Sequence, residues 1–273
     1  MYGSGVSKLL LPKSVEPKKL NVLVSLCVHR ALDPEIYSAL TLLQTCPFMN
    51  LSVTIKHGDA LIDRSRSIVA SRFIQAGTFD ILFFVDDDIL FDPHDIVKMC
   101  SKMQEADLPI LAGAYVKKQS EDTHFAVKTF KDIAYTFGKD APVQEVEMVS
   151  TGFMAISKKV IQKMVDENVV PLCHPEDIKF YPFFQPYPKQ VGGRWVYLSE
   201  DWAFCDRAKQ LGFKMYVDGS VKLGHAGRYV YNWDDLQRLR GKKQEVEGIN
   251  YLDKEGEIVI TFPGLQKPEA REA

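Results

Sequence analysis

Three consecutive carboxylates, Asp86, Asp87 and Asp88, follow directly on FDILFFV at 79–85, the most apolar run of the chain. Side chains alternate along an extended backbone, so Asp86 and Asp88 are expected on one side and Asp87 on the other. Two like charges beside a buried strand repel each other unless a cation sits between or beside them. A hard divalent ion with positions left open for phosphate oxygens meets that demand. A solvated acidic turn leading into the next helix accounts for the same residues. Asp92, just before Pro93, reads as a cap of that helix and is left out of the site.

Two further strings carry groups able to do chemistry. In VYLSEDWAFCDRAKQLGFKMYVDGSVKLGHAG, residues 196–227, Glu200 and Asp201 open an amphipathic helix with Phe204, Ala208 and Leu211 along one face. Carboxylates in a first turn are favoured by the helix dipole. A carboxylate there can also take a proton from an incoming hydroxyl. His225 stands between glycines in GHAG, where it is either a structural imidazole or a ligand that the backbone approaches closely. In VSTGFMAISKKVI, residues 149–161, Gly152 interrupts an apolar strand. A glycine so placed marks a bulge or a point of ligand approach.

The elements that must position these groups alternate. Residues 20–28 read as a buried strand, 34–45 as a helix capped by Asp33, 51–55 as a strand and 60–75 as a helix. Residues 79–85 follow as the expected central strand and 93–103 as a third helix. Strand and helix in turn, three times over, predict an α/β fold: a mostly parallel sheet flanked by helices. Ligands of such sheets gather outside the carboxyl ends of the strands, where the three aspartates fall. Beyond these, 109–116 reads as a strand, 117–147 as hairpins or an inserted loop, 148–156 as one strand and 157–168 as a helix. Residues 170–198 carry five prolines, a Gly192–Gly193 pair and many aromatics, which predicts a long functional or disordered loop rather than core. Its aromatic part, Phe180 to Tyr197, is either satellite core or a lid over an acceptor. A helix at 199–212 and strands at 214–217 and 257–262 complete the pattern. No repeat or clean boundary breaks it. The expectation is a loose arm over 1–19, a single domain over 20–231 with a decorated C-terminal half, and a charged extension over 232–273.

Composition narrows the classes. With 46% hydrophobic and 26% charged residues, the 273-residue chain is neither disordered, collagenous nor coiled coil. Lys and Arg number 34 against 36 Asp and Glu, so bulk charge does not hold it to nucleic acid. A local patch of Arg228, Arg238, Arg240, Lys242 and Lys243 reads as a solvated helix face or as an anion site. The five cysteines lack any CxxC pair, which excludes a zinc ribbon or disulfide framework. Reduced thiols, no signal peptide and no transmembrane segment of about 20 apolar residues predict a soluble, cytoplasmic protein.

Taken in order, these strings resemble a GT-A fold glycosyltransferase: nucleotide-sugar-dependent, DxD-containing and family-2-like. The resemblance spans about residues 20 to 230. Asp86–Asp87–Asp88 resembles the DxD motif, Ser150–Thr151–Gly152 the glycine-containing loop, Ser199–Glu200–Asp201 the xED motif and His225 the late metal-binding histidine. Arg66, in DRSRSIVASRF, sits where related enzymes carry an Arg-Asn pair, with Ser67 in place of the Asn. The resemblance implies that Asp88, with His225, ligates Mn²⁺ or Mg²⁺, and that Asp86 holds the metal-diphosphate, ribose or sugar. Asp87, Arg66, Thr151 and Gly152 would line the nucleotide-sugar site. Imidazole beside carboxylate favours Mn²⁺. Asp201 would be the base of an inverting transfer or would orient the acceptor of a retaining one, with Glu200 beside it. The acceptor would be a glycan, a lipid-linked glycan or a modified nucleic acid. A sugar-nucleotide nucleotidyltransferase is the rival enzyme, but CVHRALDP after the first strand has no glycine to cradle a triphosphate. A non-catalytic glycan- or nucleic-acid-binding module on the same scaffold is the other alternative.

Overall fold

The computed structural model describes residues 19–28, 32–118, 125–174, 176–227 and 258–260. The arm expected over 1–19, apart from Lys19, lies outside them. So do the basic cluster and all of the charged extension except 258–260, together with the end of the expected domain at 228–231.

A seven-stranded mixed sheet forms the centre of the chain. Its first half is built from β1 (Asn21–Val28), α1 (Pro34–Leu43), β2 (Asn50–His57), α2 (Ile62–Ala76), β3 (Ile81–Asp86), the short β4 (Ile89–Leu90) and α3 (Pro93–Glu105). Asp33 caps α1 by accepting from Glu35 N at 2.9 Å, and Asp92 caps α3 by accepting from His94 N at 2.9 Å. Each is followed by a proline, whose missing N–H and fixed φ suit a first helical turn. Gly77 ends α2 at φ +70, which a side chain would oppose.

The second half contains β5 (Ile110–Gly113), β6 (Val127–Lys128), β7 (Tyr135–Phe137), β8 (Val143–Val146), β9 (Met148–Val149), β10 (Phe153–Ser157) and α4 (Lys158–Asp166). It continues with β11 (Tyr187–Val191), β12 (Arg194–Leu198), α5 (Glu200–Gln210), β13 (Met215–Asp218), β14 (Gly224–His225) and β15 (Ile258–Ile260). The main sheet runs β2-β1-β3-β10-β5-β13-β8. β2, β1 and β3 are mutually parallel, as are β5 and β13, while β10 and β8 run against their neighbours.

Alternation along the buried strands divides the core. Leu82 and Phe84 of β3 face Val69, Phe73, Ile161 and Phe204 of α2, α4 and α5. Ile81, Phe83 and Val85 face Ile36, Leu40, Met99 and Met103 of α1 and α3. β3 is apolar on both sides because helices cover both sides of it.

Three expectations are corrected. The middle place of the sheet belongs to β10, not to β3. The strand expected over 148–156 is two strands, because Ser150 to Gly152 turn out of the ladder: β9 pairs with β6 while β10 joins the main sheet. The loop expected over 170–198 is partly core and partly hairpin. Phe183 and Phe184 are fully buried, and Phe184 stacks on Phe204 with ring centroids 4.5 Å apart. β11 and β12 form an antiparallel hairpin turning at Gly192–Gly193, both at positive φ. Among the described residues, no helix is long and apolar enough to cross a membrane.

Candidate active site

The carboxyl end of β3 does not carry the aspartates as an extended run. Asp86 ends the strand, and Asp87 and Asp88 form the turn into β4. The turn breaks the alternation that would have set Asp86 and Asp88 side by side.

Asp88 meets His225. β14 pairs antiparallel with β4, His225 opposite Ile89, and Ala226 N donates to Asp88 O at 2.7 Å. His225 Nε2 thereby lies 3.5 Å from Asp88 Oδ2. The other ring nitrogen, Nδ1, lies 2.8 Å from Val116 O. A carbonyl can only accept, so Nδ1 carries a proton and Nε2 is the atom turned to the carboxylate, a donor when the ring is protonated and a lone pair when it is not. Lys118 Nζ donates to the same Oδ2 at 2.5 Å. Burial pushes the Asp88 carboxyl up, but hydrogen bonds from His225 and Lys118 outweigh it and hold it below the usual range.

Asp86 stands apart from this pair, where the sequence expectation had joined them at one cation. Its Oδ1 accepts from Arg66 Nη2 at 2.6 Å, and Arg66 Nη1 reaches Glu200 Oε1 at 2.9 Å. The guanidinium is buried, with 4% of its side chain exposed, whereas its two partners keep about a quarter of theirs. Burial opposes the Arg66 charge, but Asp86 and Glu200 outweigh burial and hold it charged. Ser67, at the position of the expected Asn, bonds elsewhere: its Oγ accepts from Phe184 N at 3.1 Å and pins the aromatic segment.

Asp201 opens α5 next to Glu200. Its Oδ1 accepts from Ser199 Oγ and from Trp202 N, the latter at 2.7 Å. No ion pair engages it among the described residues.

The loop of Ser150, Thr151 and Gly152 closes the site from beneath. Gly152 O accepts from Asp86 N at 2.9 Å. A Cβ on Gly152 would lie 2.6 Å from the Tyr115 hydroxyl, so the glycine makes room for that ring. Thr151 is buried, and its hydroxyl has no partner among the described residues. Tyr115 packs edge-on against His225 with centroids 5.1 Å apart. Burial pushes its hydroxyl up, and the charges of Asp86 and Asp201 push it further against Arg66 and Ser150.

Tyr115 and Lys118 escaped sequence reasoning. They follow β5 at its carboxyl end, and the strand-end rule applied to Asp86 applies equally there.

A divalent cation was implied at Asp86, Asp88 and His225. Among the described residues, no three His, Cys, Asp or Glu side chains gather for a metal. The pair of Asp88 and His225 nonetheless has the right chemistry. In the neutral ring an imidazole lone pair would join the carboxylate oxygen that Lys118 now holds, and the imidazole is oriented by a carbonyl on its far nitrogen, as metal-bound histidines are. Carboxylate oxygen with imidazole nitrogen suits Mn²⁺ and leaves positions for diphosphate oxygens.

No protein-family model matches the sequence, and no curated protein matches it. Among solved structures, the chain is similar to A197 from STIV, with a TM-score of 0.50 and 15% identity over 86% of this chain and 100% of that one. It is more distantly similar to GalNAc-T7, crystallised with UDP, GalNAc and Mn²⁺, with a TM-score of 0.40 and 12% identity. That alignment covers 77% of this chain and 44% of the transferase, so the chain spans less than half its length. The likeness to A197 shows the fold alone: a mixed α/β sheet flanked by helices.

Proposed function

We propose that the chain is a metal-dependent glycosyltransferase, moving a sugar from a nucleotide-sugar donor to an acceptor hydroxyl. The observation that carries this reading is the Asp88–His225 pair at the carboxyl edge of the sheet, with Nδ1 of the imidazole committed to Val116 O. Asp88 and His225 would hold Mn²⁺ or Mg²⁺. When bound, the cation would act as a Lewis acid on the diphosphate leaving group.

The remaining roles belong to side chains. The sheet order reverses at β1, which has β2 on one side and β3 on the other. Ligands of open α/β sheets bind at such a point. A small cavity of about 150 Å³ opens there, lined by Cys27, Lys56, Asp59 and Ser65, and suits part of the donor nucleoside. With Oδ1 taken by Arg66, Asp86 has its other oxygen to offer a donor hydroxyl. Asp87, in the turn between them, stays with the donor site, as do Thr151 and Gly152 below it. Glu200 is committed to Arg66, so Asp201 is the carboxylate at liberty to turn to an acceptor hydroxyl.

Thermal shift with a panel of nucleoside diphosphates tests the reading. One diphosphate should stabilise the protein only when Mn²⁺ or Mg²⁺ is present, and Asp88→Ala should abolish that shift. Stabilisation by triphosphates alone would favour a nucleotidyltransferase, and no nucleotide response would favour a binding module.

A further inference from the structure

We infer that the cleft between the β11–β12 hairpin and α5 is the acceptor site, and that it takes a saccharide; the word acceptor rests on the transferase reading above. The cleft has a volume of about 590 Å³, within the range of small-molecule sites. One wall is the inner face of the hairpin, with Val191, Val196 and Leu198. The other is the face of α5 that carries Trp202, Asp206, Lys209 and Gln210, spaced as one side of a helix. Lys128, Glu147 and Met148 also line it, as does Lys189 of the hairpin.

Two of these linings run by chain into the proposed reaction centre. β9 continues into Ser150–Thr151–Gly152, and β12 continues through Ser199 into Glu200 and Asp201. Trp202, on the cleft, donates its backbone N–H to Asp201. The hairpin root is clamped to α5 at one carboxylate. Asp206 accepts from Tyr187 Oη at 2.5 Å, Lys189 Nζ at 2.6 Å and Gln210 Nε2 at 2.8 Å. Burial pushes the Asp206 carboxyl up, and these three donors outweigh burial and hold it low. The cleft is therefore held open from its root, while the Gly192–Gly193 tip overhangs it.

The lining chemistry selects the occupant. A pyranose has apolar C–H faces and a rim of hydroxyls that both donate and accept. The cleft offers an indole and aliphatic side chains for the first, and amides, carboxylates and ammonium groups for the second. A phosphodiester backbone needs unpaired cations. Here Lys128 is paired with Glu147 at 2.8 Å and Lys189 with Asp206 at 2.6 Å, which leaves Lys209 as the single lining cation without an ion pair among the described residues, too few to follow a phosphodiester chain. A lipid chain would leave both carboxylates without water.

Saturation-transfer NMR tests the cleft with methyl glycosides of glucose, galactose, mannose and N-acetylglucosamine. At least one should give a signal, and Val196→Trp, which fills the cleft from an exposed strand, should weaken its binding about tenfold or more. Trp202→Ala should do the same; because that ring also packs on the core, its folding is checked by circular dichroism. Absence of any glycoside signal, an undiminished signal in Val196→Trp, or binding of single-stranded oligothymidylate lost in Val196→Trp would overturn the inference. Nucleoside diphosphate stabilisation with Mn²⁺ is measured on the same proteins. If it persists in Val196→Trp while glycoside binding ignores the cleft, the inference alone fails. If glycosides bind in the cleft and no nucleoside diphosphate binds anywhere, the transferase reading fails and the saccharide site stands.

Discussion

His225 Nε2 lies 3.5 Å from Asp88 Oδ2 because the strand that carries the histidine pairs with the strand that follows the aspartate. Backbone hydrogen bonding, not side-chain attraction, brings the two together, so either side chain can be replaced without dissolving the arrangement. Removing even a supporting partner of a metal ligand typically lowers metal affinity about 10–100-fold. His225→Ala should weaken Mn²⁺ binding by at least that factor. Asp88→Ala should abolish metal-dependent donor binding, while the metal-free melting temperature moves by no more than about 2–4 °C, since its ion pairs are only half-buried and open to solvent screening. Mn²⁺ titration followed by electron paramagnetic resonance, with parallel melting curves, reads both. A large fall in metal-free stability would make the pair structural.

Asp201 is the candidate base, and its test is a comparison with its neighbour. Asp201→Asn keeps the shape and loses the basicity, so turnover should fall by about 10²–10⁴-fold with donor affinity nearly unchanged. Glu200→Gln should spare turnover more and stability less, because it deprives Arg66 of an ion pair. Steady-state kinetics beside calorimetric donor binding separates the two. Full turnover in Asp201→Asn would point to a retaining transfer.

Arg66→Met leaves Asp86 and Glu200 without the cation between them. Breaking a buried ion pair from one side costs about 3–5 kcal/mol, here towards the low end because both carboxylates retain some solvent. Urea denaturation should show a lowered midpoint with an unchanged slope. A stability loss below about 0.5 kcal/mol, the size expected of an ordinary surface substitution, would contradict the burial of that charge.

Asp95, in the first turn of α3, has its carboxyl pushed up to about 6 by burial, with Asp92 and Asp218 adding to the effect against Lys98. Its folded value exceeds its unfolded value, so between about pH 4 and 6 the folded state holds more protons. Stability from this group therefore falls as pH rises through that window. Asp95→Asn should stabilise the protein at pH 7 and have little effect at pH 4. Equal effects at the two pH values would rule out the assignment.

Much of the positioning frame was legible. The three early strand–helix units, and the caps at Asp33 and Asp92, follow from apolar spacing and from Asp-Pro pairs that have only one good place in a helix. Direction was not legible. The run that became β10 is apolar on both faces whether it lies parallel or antiparallel to β3, so burial pattern alone could not reveal its reversal at the centre of the sheet. The aspartate turn was hidden for a similar reason, since alternation holds only while the backbone stays extended and Asp86 is its last extended residue. Phe183 and Phe184 read as loop because prolines surround them. Their burial depends on Ser67 and Phe204, contacts that no local window contains. The hairpin at 187–198 was signalled by Gly192–Gly193, but Pro188 spoke against a strand. β11 tolerates that proline because, among the described residues, it pairs with β12 alone.

One guanidinium serves two carboxylates from opposite halves of the chain. A molecule that hydrogen-bonds Asp86 changes how strongly Arg66 leans on Glu200, and a molecule settling beside Glu200 changes Asp86 in return. Thermodynamic linkage makes the effect the same in both directions. Donor and acceptor should therefore report each other's presence, with a coupling of about 1–3 kcal/mol, or roughly 5–150-fold in affinity. The order in which they bind would then be written into a single buried side chain. Arg66→Lys, which replaces the two-armed donor with a point charge, should flatten a calorimetric cycle of the two affinities towards independence. A cycle left unchanged by that substitution would place the communication elsewhere.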